Sequence, residues 1–182
     1  MGAPDENTGT LSAGRLAYGC TDLSAVWPHG GTGLGLVGQV FLFPQRRWAG
    51  LTFEETNSTG EVLWLGGDLV VSLTMEGWDE AAMAALNPNT ATSSGRTIVE
   101  WPGSDYVAGA PVTPLQSVVF TPWDLTNGKG FVIYRAAGLP DLNQALAFSA
   151  YRFLEVPAVL VAVPGDSSDR LGKLAKFSDL TL

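Results

Sequence analysis

EVLWLGGDLVVSLTMEGWDEAAMAALNPN, residues 61–89, holds the two periodicities that decide the fold. In Glu61 to Leu65 and Asp68 to Glu76, apolar and β-branched side chains crowd into runs of strand length, and Gly66-Gly67 between them has the form of a tight hairpin turn. Two antiparallel strands joined at the glycines are therefore predicted. After Gly77 the period changes. Trp78 to Leu86, WDEAAMAAL, is rich in Ala and places Asp79 and Glu80 in the first turn, where the helix dipole favours carboxylates. Trp78, Ala82 and Leu86 recur at i, i+4 and i+8, so a short helix is predicted that ends at Asn87-Pro88. A helix of this length is marginal alone and must lay its apolar stripe on a sheet.

Working outward, Leu36 to Phe43 reads as a strand stopped by Pro44, and Ser12 to Cys20 as a short one with Leu16, Tyr18 and Cys20 on a common face. Between that strand and the hairpin lies Pro44 to Gly60, PQRRWAGLTFEETNSTG, predicted as a long polar loop with Trp48, Leu51 and Phe53 set among charges of both signs. Further strands are expected at Arg96 to Trp101, Val112 to Phe120, Gly130 to Ala136, Gln144 to Leu154 and Val156 to Val163. Turn signals stand between them at Pro102-Gly103, Asn127-Gly128, Leu139-Pro140-Asp141 and Pro164-Gly165-Asp166. The expected fold is mainly β: an antiparallel β-sandwich or barrel of about nine strands with one short flanking helix. All 182 residues form a single domain, with residues 1–13 as an N-terminal arm and 168–182 as a C-terminal segment that is either a last strand or a docking element.

Composition agrees. Gly (22) and Pro (11) are abundant, as many short strands require, while 46% hydrophobic residues and only 15% charged ones exclude wholesale disorder. Ten Lys and Arg against 18 Asp and Glu leave a net charge of -8, the wrong sign for gripping a phosphate backbone. One His and one Cys remove most of the material of metal sites, acid–base centres and disulfide frameworks. No apolar run reaches the length of a membrane helix, and the polar start MGAPDENTGT has no leader pattern, so a chain made in the cytoplasm is expected.

Each motif that could carry chemistry has a simpler reading. Gly33, Gly35 and Gly38 spell GxGxxG, but QVFLF follows, a strand where the dinucleotide fingerprint needs a helix; they read as turn glycines. His29 in WPHGG reads as an exposed loop residue, and Cys20 as a small buried hydrophobe. Glu54-Glu55, Glu76 and Asp79-Glu80 do not form the spaced carboxylate pair of a glycosidase. Asn57-Ser58-Thr59 reads as a loop rather than a used sequon. No catalytic residue, cofactor or metal site is expected. Arg46-Arg47-Trp48 is different: paired arginines beside an aromatic grip carboxylates and bury area, and a loop that also holds Leu51 and Phe53 leaves apolar surface for a partner.

GLGLVGQVFLFPQRRW together with residues 61–90, in the order strand, polar loop, hairpin and short helix ending at Asn87-Pro88, resembles the tail tube proteins of long-tailed bacteriophages. The resemblance covers about a third of the chain by sequence and more by element order. It implies a β subunit with a flanking helix that assembles into hexameric rings, stacked as a hollow tube inside the virion. It implies too that Pro44 to Gly60 reaches an adjacent ring, with the arm 1–13 and the segment 168–182 adding contacts. Thr21 to Gly35 has no counterpart in that pattern. Partners would be further copies of the chain and other tail proteins (tape measure, terminator, distal tail protein), with DNA passing through unbound and no membrane inserted.

Charge supplies a physical argument beside the resemblance. Six copies at -8 each carry -48, and an acidic channel wall repels DNA and keeps it sliding. The basic residues are then wanted between subunits, so Arg46, Arg47, Trp48, Leu51, Phe53, Arg170, Lys173 and Lys176 are the expected interface set. The alternatives are a terminator, neck or baseplate ring protein of related fold and, from another class, a β-sandwich ligand-binding module with tryptophans lining its groove.

Overall fold

Val71, Leu73 and Met75 stand directly opposite Leu160, Ala158 and Val156 on neighbouring antiparallel strands, and all six side chains are buried. Period-2 alternation puts each set on one face of the pleat, and that shared face is the centre of the core. Burying one such Leu or Val stabilises by roughly 1.5–3 kcal/mol. The structure is a computed structural model describing residues 13–35, 37–53, 58–76, 79–86, 90–94, 96–99, 115–140, 155–164 and 170–182.

Ten strands are described: β1 (Gly14–Tyr18), β2 (Thr32–Gly33), β3 (Val37–Phe53), β4 (Ser58–Glu76), β5 (Thr90–Ser93), β6 (Arg96–Val99), β7 (Gln116–Pro122), β8 (Lys129–Pro140), β9 (Glu155–Ala162) and β10 (Gly172–Lys176). The helix α1 is Glu80–Leu86, and a 3-10 turn spans Phe177–Asp179. All pairings are antiparallel. One eight-stranded sheet runs β2-β1-β7-β8-β9-β4-β3, with β10 on β8, and β5-β6 is a separate hairpin. The mainly β, antiparallel class expected from the sequence is the one observed.

β8 changes partner partway along. Lys129 to Ile133 pair with β10, whereas Ala136 to Pro140 pair with β9. At the changeover β8 carries one residue more than β7, which pairs through Val118 with Ile133 and through Gln116 with Ala136. Both flanks are held there: Tyr134 N donates to Leu171 O at 3.1 Å, and Val163 N to Arg135 O at 2.9 Å. From β1 the Tyr18 hydroxyl donates to Ala136 O at 3.1 Å across the core face. The opposite face has its own cluster of Ala17, Cys20, Val119, Val132 and Leu180, flanked by Phe177 of the 3-10 turn.

Several expectations are corrected. Pro44 to Gly60 is not a loop: residues 44–53 continue β3 and 58–60 open β4. Nor is Gly66-Gly67 a turn, because β4 runs straight through it. Arg47 faces Gly66 and Trp48 faces Trp64, so Leu65 is the extra residue of a β-bulge, and Gly66 with φ 98° supplies the left-handed conformation. A Gly-Gly pair serves either device, and the long partner strand decides between them. The helix starts later than predicted. Asp79 is its cap, with Oδ1 accepting from Ala82 N at 2.8 Å, and Ala82 and Met83 are buried on the sheet. Trp78 lies outside the described residues. Leu139-Pro140 belongs to β8 rather than to a turn, β7 runs two residues past Phe120, β6 falls within the strand expected at Arg96 to Trp101, and β5 was not anticipated. Cys20 packs in the second cluster, away from Leu16 and Tyr18, because Gly19 with φ 73° breaks the alternation. The expected strand Gln144 to Leu154, the turn Pro102-Gly103 and residues 1–12 of the arm lie outside the described residues. Of the C-terminal segment, β10 and the 3-10 turn are ordered elements of the sheet and its cover.

Candidate functional site

Pro44 has no N–H, and β3 tolerates it because, among the described residues, β3 is an edge strand paired only with β4. β4 is backed by β9 only from Val70 to Glu76. From the pair Pro44–Leu69 out to Phe53–Ser58, therefore, the two strands form a ribbon with both edges unpaired among the described residues. At the usual rise the ribbon extends roughly 30 Å. Val62 (64% exposed) and Leu63 (43%) are consecutive residues and so point to opposite faces, which leaves apolar surface on each side. An isolated two-stranded ribbon is marginally stable in water, and open apolar edges recruit partners.

Of the expected interface residues, Arg46, Trp48, Leu51 and Phe53 lie along this ribbon by register, facing Gly67, Trp64, Glu61 and Ser58; their side chains fall outside the described ones. Arg47 forms an ion pair with Asp68, both exposed, on the diagonal across the strands. An exposed pair of this kind contributes about 0–1 kcal/mol, so it shapes the surface more than it stabilises it.

At the root of the ribbon a groove of about 700 Å³ opens between β3-β4 and β10. Leu42, Leu69 and Leu171 line it and also pack on the core, while Arg47, Asp68 and Arg170 bring charge to it. The fold thus brings Arg47 and Arg170 to one groove although they are far apart in sequence. Lys173 also borders the groove, but its ammonium donates to Thr181 Oγ1 at 2.8 Å and lies 5.7 Å from the Tyr134 ring. Lys176 sits at the far end of β10, opposite Lys129. The basic set is therefore split. Leu174, 61% exposed, and Asp68 belong to the groove and were not singled out from the sequence; only the tertiary pairing of β10 brings them there.

Of the residues weighed for chemistry, His29, Cys20, Gly33 and Gly38 make packing or backbone contacts, and Glu54, Glu55 and Asn57 lie outside the described residues. His29 is buried, not exposed as expected: Nδ1 is 2.9 Å from Ala25 O and Nε2 2.8 Å from Thr121 Oγ1. A carbonyl only accepts, so Nδ1 carries the proton and, in the neutral ring, Nε2 accepts from the Thr121 hydroxyl. The loop 21–31 closes on itself through Thr21 N to His29 O at 2.9 Å, and Asp22 turns its start by accepting from Ser24 N and Oγ. Those two bonds hold the Asp22 carboxyl below its ordinary range. Burial pushes the Cys20 thiol up to about 11, the reverse of what a nucleophile needs. Gly38 runs in strand β3, so no helix follows the GxGxxG glycines. A Cβ on Gly33 would overlap the Trp27 ring, so this glycine is a seat for an aromatic side chain. Among the described residues no three His, Cys, Asp or Glu gather to hold a metal, and no helix is long and apolar enough to cross a membrane.

No protein-family model matches the chain, and no curated protein matches it.

Proposed function

We propose that this chain is a virion structural protein that self-assembles into stacked hexameric rings forming the tail tube of a long-tailed phage. The observation that carries this reading is the ribbon 44–53 and 58–69, whose edges are unpaired among the described residues and which exposes Val62 and Leu63, apolar surface that favours a partner. It occupies the stretch that the resemblance assigns to contact with the adjacent ring. The groove with Arg47 and Arg170 offers cations to an otherwise acidic copy of the same chain. The net charge of -8 per copy suits a conduit that DNA slides through without adhering. Tape measure, terminator and distal tail proteins would be the other partners.

Negative-stain electron microscopy of the purified chain, over a series of protein and salt concentrations, tests the reading. Stacked rings or tubes are expected. Closed rings that never stack would move the assignment to a terminator, neck or baseplate ring, and a monomer under all conditions would overturn it.

A further inference from the structure

β1 and the two loops beside it carry a second surface with exposed apolar side chains. Arg15, in register with Thr121 on β7, places its guanidinium carbon 4.5 Å from the ring centres of both Trp27 and Trp123. The two rings come from separate loops, 21–31 and 123–127. Trp27 is seated on Gly33, and the Trp123 backbone N–H donates to Ala13 O at 2.9 Å. Indole faces attract a guanidinium but supply no hydrogen-bond acceptor. Arg15 Nε and Trp27 Nε1 are both buried without an acceptor among the described residues, a costly arrangement for two neighbouring donors. In the same two loops Val26 is 90% exposed, Trp123 60% and Leu125 54%, all large apolar side chains.

We infer that the Arg15–Trp27–Trp123 surface binds a second copy of this chain, which covers Val26, Trp123 and Leu125 and brings a carboxylate to the Arg15 guanidinium. This rests on the self-assembly proposed above and specifies one of its contacts. Charge complementarity favours a second copy: each has 18 Asp and Glu against ten Lys and Arg, so carboxylates are what a copy has in excess. The surface and the ribbon 44–53 and 58–69 are built from different residues, and a ring closes through two different patches of each subunit. An aromatic and Arg centre with an exposed apolar surround has the composition of an interface hot spot.

The test compares wild-type chain with Trp123→Ala, Val26→Ser and Leu125→Ser, whose side chains are exposed, and with Arg15→Gln. Sedimentation velocity over a concentration series reads assembly, and far-UV circular dichroism checks the fold. Each exposed-site variant is expected to need at least about tenfold more protein for half-assembly, since truncating a hot-spot side chain costs that much or more. Acrylamide quenching of Trp123, taken as the difference between wild type and Trp123→Phe, is expected to fall on assembly. Assembly that proceeds with an unchanged midpoint in Trp123→Ala, or with Trp123 still quenchable, overturns the inference and leaves the proposed function standing. A wild-type chain that never assembles overturns both.

Discussion

Arg47 faces Gly66 across the β3–β4 ladder, and one step further out the register slips so that Trp48 meets Trp64. The slip uses the positive φ of Gly66, and a Cβ there would have nothing within 4 Å among the described residues. Gly66→Ala is therefore a backbone experiment without a steric clash. It is expected to destabilise by about 1–3 kcal/mol in urea unfolding, with faster hydrogen exchange along the ribbon. An unchanged midpoint would mean that the bulge tolerates an L side chain and that the slip has another origin.

Asp68 tests how much the ribbon's ion pair matters for folding. Asp68→Asn removes an exposed partner of Arg47 and should shift stability by less than about 1 kcal/mol. Its effect on assembly is expected to be larger than its effect on melting, because it changes the charge of the groove that Arg170 also borders. Equal wild-type assembly at low and high salt would count against a role for that groove.

Thr121 supplies the hydroxyl that His29 Nε2 needs. Thr121→Val keeps the shape and removes the donor, leaving a buried ring nitrogen unsatisfied, at a cost of about 1–3 kcal/mol. The damage should be local to the loop 21–31 and its seat beside Phe177, whose ring centre is 5.7 Å from that of His29. Nuclear magnetic resonance shifts confined to β4 and β9 would contradict this placement.

Cys20 links burial to pH. With its thiol raised to about 11 from 9.0, the native chain holds that proton more tightly than the unfolded chain does. Its contribution is fully present below about pH 9 and is lost as pH rises toward 11. Wild type should therefore lose more stability than Cys20→Ala across that window. At pH 8 the native thiol should react with a disulfide reagent about a hundredfold more slowly than the unfolded chain. Parallel pH curves for the two proteins would remove the thiol from the account.

Local pattern was informative wherever it pointed at a core. The alternation of Val71, Leu73 and Met75, strand over Val37 to Phe43, though it does not stop at Pro44, and the helix around Ala82 are in place, because side-chain periodicity and burial on one face are the same fact seen twice. The expected interface residues on β3 lie on an exposed ribbon, but as strand rather than loop. Polarity misled there: residues 44–53 and 58–60 alternate too weakly in sequence to register as strand, and it is the long pairing of β3 with β4 that makes them one.

What the sequence by itself determined is the class, mainly β with little helix, and a net charge of -8. What only the tertiary structure decided is how the ambiguous devices are used. Gly66-Gly67 became a bulge because β3 is long enough to pair on both sides of it, and His29 became a strut because Thr121, 92 residues away, reaches its ring. Arg15 came to lie against two tryptophans because β1 pairs with β7. Local sequence encodes backbone preference and burial period, whereas the partner of an edge, a ring nitrogen or a guanidinium is set by which distant strands the sheet brings together.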